Sequence, residues 1–312
     1  MAPPPGSRIP CALRPGYLLA GRYRLERTVD SALADPPPAT LWLARDEVLQ
    51  RPVAAKVLPT GDARGALAAQ DLVDAAGAAG TLAHPVLARV YDAALDAHAG
   101  VAYVVSEWVD GVDLATSLAQ DGPWQHQPAV VLAERVADAL AAAHRVGLVH
   151  GRLHPGNVLL GPSGSVVLTD LAVAAALPGR RPPRECATGP ADDVRDLAAV
   201  LYAVLTARWP VTATPQPAAG LATAPTGREG GAHARPVSPA QVRAGVPRAL
   251  DGLVVRALDP GCAGTAPELT TASGFATVLT GAVPVGRTRV PSPRRPGVVR
   301  RLLRGRGPSA SG

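Results

Sequence analysis

Aromatic side chains are nearly absent from this chain: one phenylalanine, five tyrosines and four tryptophans in 312 residues. Alanine, glycine, proline and arginine dominate instead, a coding bias, because the apolar periodicity survives it. Cysteine is scarce as well. Cys11, Cys186 and Cys262 are odd in number and widely spaced, and match neither a C-x-x-C metal pattern nor a disulfide framework, so they read as unpaired cytosolic thiols. No window approaches the roughly 18 consecutive apolar residues that cross a bilayer. The first twenty residues lack a compact apolar core behind a basic start, so no secretory signal is expected and the placement is cytoplasmic. Acids are missing from one stretch, Arg287 to Arg306, which holds eight arginines. Without those eight, the net +6 becomes −2, so the basic total does not argue for a nucleic-acid surface and no nucleic-acid partner is expected.

What is present suffices for one large or two moderate domains with a real core. Residues 1–20, with Pro3-Pro4-Pro5, read as a disordered arm. Alternation then begins: Tyr23, Leu25 and Val29 set against charged neighbours predict a half-buried strand, followed by strands at Thr40 to Arg45 and Val53 to Leu58. Pro36-Pro37-Pro38 makes the intervening stretch a loop. Leu72, Ala75, Ala76 and Ala79 predict a helix over Leu67 to Leu82, and two more strands follow at Arg89 to Leu95 and Val101 to Trp108. After Asp110-Gly111 the period turns helical. Helices are predicted from Pro128 to about Arg145, at Asp193 to Thr206, at Pro247 to Leu258 and at Thr271 to Leu279, with residues 212–236 a patternless, flexible insertion.

Between the first two of those helices lies the densest polar stretch. Val158 to Leu160 and Val166 to Leu168 are short apolar runs around a Gly161-Pro162-Ser163-Gly164 turn, a hairpin signal. His150, Arg152, His154 and Asn157 precede the first run and Asp170 follows the second, so the hairpin brings ionisable groups together as in a catalytic or metal loop. A zinc reading of His150 and His154 with Cys186 is weak, because Pro155 removes the helical i, i+4 geometry and further ligands are not evident.

These residues resemble the protein kinase family, in particular bacterial Ser/Thr kinases. Val53-Ala-Ala-Lys56 resembles the V-A-I-K strand motif, Val105-Ser-Glu-Trp-Val109 the hinge, His150 to Asn157 the H-R-D-L-x-x-x-N loop without a gap, and Asp170-Leu-Ala172 the D-F-G motif. The resemblance spans roughly residues 20–282. It implies an α+β bilobal fold: a small β-rich N-lobe with one helix over 21–109, a larger mainly helical C-lobe over 110–282, and a basic disordered tail over 283–312. It implies a nucleotide site at Lys56, Glu107, Val109, Asn157 and Asp170, the last two as Mg²⁺ ligands for ATP.

The departures from the family pattern carry as much information. Thr28 to Leu41 contains no glycine, so backbone amides cannot close over phosphates in the usual manner. The helix glutamate position falls on or near Ala75, and Asp74 is shorter and about 100° around the helix, so Lys56 is expected to lack its ion-pair partner from that helix. Arg152 occupies the catalytic aspartate position and His154 that of the loop lysine. Nothing before Asp192 resembles A-P-E. The resemblance thus implies a pseudokinase that scaffolds or regulates signalling and binds ATP weakly; the alternative is an active atypical Ser/Thr kinase. Expected partners are proteins, among them a true kinase that phosphorylates Thr188 and a phosphopeptide-binding domain that reads the product. Arg287 to Arg306 adds a membrane-proximal contact with an anionic surface, worth about 1 kcal/mol per arginine.

Overall fold

The computed structural model describes residues 13–29, 39–61, 63–176, 189–210, 221–226, 236–259, 269–283 and 288–292. Cys11, Cys186, Cys262, Thr188, the proline loop at 30–38 and most of the arginine-rich tail lie outside them.

The first half is an antiparallel six-stranded sheet: β1 (Leu18–Leu19), β2 (Tyr23–Thr28), β3 (Thr40–Asp46), β4 (Arg51–Pro59), β5 (Val90–Asp96) and β6 (Val101–Glu107), in the order β1-β2-β3-β4-β6-β5. The charged bend between β3 and β4 is built on Asp46, whose Oδ1 accepts from the amides of Val48 and Leu49 at 3.1 Å each. Arg22 grips the same carboxylate with two N–H donors at 3.0 and 2.8 Å and holds its pKa down at about 2. One sheet face buries Tyr23, Leu25, Trp42, Val53, Val57 and Tyr103.

The helix α1 (Ala63–Gly80) covers the other face. Its buried positions Ala69, Leu72, Ala76 and Ala79 recur at three- and four-residue spacing, and with so many alanines it lies close to Leu58, Ala102 and Val104.

The second half begins with β7 (Val112–Asp113) and α2 (Leu114–Asp121). This short helix was not expected, although its signals are in the sequence: Asp113 caps it, accepting from the Thr116 amide at 2.9 Å, and Gly122 ends it at φ +78°. The long helix α3 (His126–Arg145) buries Leu132, Val136, Ala139, Leu140 and Ala143, the face that the spacing predicts. Then come β8 (Val158–Leu160), β9 (Val166–Leu168), α4 (Val173–Ala176), α5 (Pro190–Thr206), β10 (Arg208–Trp209), β11 (Ala222–Thr223), α6 (Pro239–Val242), α7 (Arg248–Leu258) and α8 (Ala272–Ala282). The helix α5 is buried nearly all round and is the centre of a core shared with α3, α7 and α8. This is the α+β bilobal arrangement that the resemblance implies, a sheet-rich N-lobe and a helical C-lobe.

Three boundaries differ from expectation. The arm over 1–20 gives way to structure by residue 13: Gly16 donates to the Leu25 carbonyl at 2.7 Å and Leu19 is fully buried, because the sheet edge at β2 accepts one more short strand. Within 212–236, Ala222–Thr223 pairs with Arg208–Trp209, and Leu221 and Ala224 are buried. The tail over 283–312 begins with Val283 buried in the core, and Val290 packs on the hairpin turn, where a Cβ on Gly164 would stand 2.5 Å from its carbonyl. Only glycine at that φ of +74° allows the approach. Among the described residues no helix is long and apolar enough to cross a membrane.

Candidate functional site

The predicted hairpin forms, with Val158 opposite Leu168, Leu159 opposite Val167 and Leu160 opposite Val166. Its pairing continues one step toward the open end, where the Thr169 amide donates to the Asn157 carbonyl at 2.9 Å. That step sets Asn157 and Asp170 side by side, and Asn157 Nδ2 donates to Asp170 Oδ2 at 3.0 Å.

Lys56 arrives from the N-lobe. It sits inside β4, opposite Leu41 on β3 and Val104 on β6. Its side chain is 7% exposed and its Nζ lies 2.8 Å from Asp170 Oδ1. That carboxylate comes from the C-lobe and not from the helix α1. At the glutamate position stands half-buried Ala75, and the neighbouring Asp74 is exposed and accepts from Gln70 at 2.9 Å.

Asp170 itself holds φ +63° and Ala172 φ +61°, the left-handed region, and Val173 then packs among Leu72, Ala76 and Val104. A small cavity lies behind the pair, lined by Leu41, Ala79, Ser106 and Leu171 among others.

His150 is fully buried, and burial pushes its pKa down and keeps the ring neutral. The contacts match that state: Nε2 donates to the Thr169 carbonyl at 3.0 Å and Nδ1 accepts from the Arg152 amide at 3.3 Å. Its place is that of a framework residue rather than a metal ligand. Among the described residues no group of three or more His, Cys, Asp or Glu could hold a metal. His154 caps the single 3₁₀ turn Pro155–Asn157, its Nδ1 accepting from the Gly156 amide at 3.1 Å. Arg152 is half-buried in the same loop.

Two acids that the sequence reading did not assign to the site hold this loop from α5. Asp193 is fully buried and accepts from the amides of His150 and Gly151 at 2.8 Å each, and from His144 Nε2 at 2.8 Å. Asp196 accepts from the Leu153 amide at 3.1 Å, and burial, with Asp193 next, pushes its pKa up to about 7. The available signal was the spacing of Asp193 and Asp196, three apart and so on a single face near the start of α5, beside Asp192 and Arg195.

At the other end of the cleft Glu107 closes β6, its amide donating to the Arg89 carbonyl at 2.8 Å and its carboxylate accepting from the Arg89 amide at 3.3 Å. Val109 lies half-exposed in the connector that follows. Trp108 between them has the Arg27 guanidinium 5.9 Å from its ring centre, so β2 and the connector touch.

Magnesium, which kinases use with ATP, fits this donor set poorly. Asp170 spends one oxygen on an ammonium and the other on an amide N–H. Asn157 Oδ1, buried and without a hydrogen-bond partner among the described residues, offers one neutral ligand.

Residues 39–190 match the protein kinase domain family. Among curated relatives, the Ser/Thr-protein kinase PknA of Mycobacterium tuberculosis is 34% identical over 167 residues, 53% of this chain and 38% of that protein. The Ser/Thr-protein kinase PrkC of Bacillus subtilis is 30% identical over 162 residues, 52% of this chain and 24% of that protein. The chain spans less than half the length of these relatives. The crystal structure of the M. tuberculosis PknI kinase domain is similar at a TM-score of 0.62 and 25% identity, over 87% of this chain and 99% of that one. This chain therefore carries a protein kinase domain, in sequence and in fold, with its homology among the bacterial Hanks-type Ser/Thr kinases.

Proposed function

We propose that this domain is a pseudokinase: a catalytically impaired kinase that acts as a signalling scaffold or regulator and binds ATP weakly through Lys56, Glu107, Val109, Asn157 and Asp170. The observation that carries the reading is Arg152. Its loop is fastened by His150, Asp193 and Asp196, so the residue at the position of the catalytic aspartate is a cation that cannot take a proton from a hydroxyl. Losing an oriented general base costs ~10²–10⁴-fold in rate. Ala75 at the glutamate position and the glycine-free loop point the same way.

One observation favours the alternative, an active atypical Ser/Thr kinase. Lys56, Asn157 and Asp170 are assembled within hydrogen-bonding distance. Such an enzyme would have to use His154 or water as base, and Nδ1 of His154 is already engaged by Gly156.

The partners proposed are proteins: a true kinase acting on Thr188 and a phosphopeptide-binding domain, with Arg287 to Arg306 resting on an anionic membrane surface. Transfer of radiolabelled γ-phosphate, by the full chain and by Lys56→Ala, tests the reading. The expected result is the same background for both; transfer by the wild type that disappears in Lys56→Ala overturns it. Mass spectrometry after co-expression with an active kinase tests the partner, and an unmodified Thr188 removes that part.

A further inference from the structure

A divalent ion at Asp170 would have to displace the Lys56 ammonium from Oδ1 and then stand beside it. In a sheltered cleft, like charges a few ångströms apart repel far more strongly than in water. A kinase avoids this conflict by pairing the lysine with a helix glutamate, which leaves the aspartate for the metal. Here the glutamate position is Ala75, and Asp74 is exposed and bonded to Gln70. The Lys56 ammonium stands 2.8 Å from Asp170 Oδ1, an oxygen that a metal would use.

Charge counting agrees. The family pattern places a lysine, a glutamate, the catalytic aspartate, the loop lysine and the D-F-G aspartate around the phosphates, a net charge of about −1 that a divalent ion offsets. The corresponding residues here are Lys56, Ala75, Arg152, His154 and Asp170, so two cationic side chains face one carboxylate, a net of about +1 before His154 is counted. A polyanion already meets positive charge.

We propose that the cleft takes a nucleoside polyphosphate as the metal-free anion, with Lys56 supplying the counter-charge that a divalent cation supplies in a kinase. The proposal rests on reading the cleft as a nucleotide site. It reverses the usual dependence, since Mg²⁺ both complexes the free nucleotide and competes with Lys56 for Asp170.

Calorimetric titration of ATP into the full chain, once in EDTA and once in excess Mg²⁺, decides it. The expected result is binding in EDTA that Mg²⁺ leaves unchanged or weakens several-fold. In Lys56→Gln the order inverts: affinity in EDTA falls about tenfold or more, the worth of one charge-assisted contact, and Mg²⁺ now strengthens binding because Asp170 is released. Tightening of the wild type by Mg²⁺ of tenfold or more overturns this inference and leaves the nucleotide site standing. Absence of heat and of any thermal shift in both buffers overturns the nucleotide site and this inference with it. The wild-type pair of titrations decides the matter even where Lys56→Gln fails to fold.

Discussion

The two sides of the cleft are held by different means. On the C-lobe side, two acids of α5 accept three backbone amides of the loop, one histidine joins them, and the hairpin fixes Asn157 beside Asp170. On the N-lobe side, the site lysine reaches across the cleft in an ion pair with Asp170, and the helix behind it presents alanine at the glutamate position. Residues that shape the kinase frame are present, and so is Lys56, whereas Arg152 and His154 stand at the positions of the catalytic aspartate and the loop lysine. The groups that fasten the loop's backbone are not the groups that would face a substrate, so its geometry does not depend on the side chain at position 152.

The contrast is open to direct attack. Asp193→Ala carries the largest expected effect: it leaves two amides of the buried loop without an acceptor, and a loss of about 3–5 kcal/mol is expected in denaturant unfolding. Lys56→Met, on the other side, is expected to cost about 2 kcal/mol, because Asp170 is a quarter exposed and water replaces the ammonium. If the two losses prove equal, the asymmetry between the sides is wrong.

Asp196 gives a pH-dependent version of the same contrast. The folded chain keeps it protonated up to about pH 7, whereas an unfolded aspartate releases its proton near 4. Its contribution is whole below about pH 4 and is lost as pH rises through 7. Thermal unfolding at pH 5 and pH 8 is expected to show a fall in the wild type that Asp196→Asn flattens, since the amide oxygen still accepts from Leu153. Ala172→Gly is the smallest change. An alanine at φ +61° carries roughly 1–2 kcal/mol of strain, so the glycine variant is expected to gain about 1 kcal/mol of stability. A loss would mean that packing of the neighbouring Val173 governs this turn.

Much of this was legible beforehand. The alternation around Tyr23 and Leu25, the stripe Leu132, Val136 and Leu140, and the turn Gly161 to Gly164 each state a local period or a turn chemistry, and each element formed where its pattern lay. The positions of Lys56, His150, Asn157 and Asp170 followed from motif spacing. The partner of Lys56 did not, because a glutamate missing from α1 says nothing about which other carboxylate comes within 3 Å across the cleft. Asp193 read as a helix start because its role depends on a loop 43 residues earlier in the chain. The short strands at Leu18 and Ala222 were invisible for a related reason: two residues have no period, and only a neighbouring strand makes them one.

The central claim is that the frame is kept while phosphoryl transfer is lost. A rapid-quench single turnover, with the full chain in excess over γ-labelled ATP and a generic Ser/Thr protein substrate, tests it most directly. The account predicts that ATP is bound and that the label is recovered as ATP, with no phosphoprotein above the level given by Lys56→Ala. Phosphoprotein that accumulates with time in the wild type and vanishes in Lys56→Ala would contradict it.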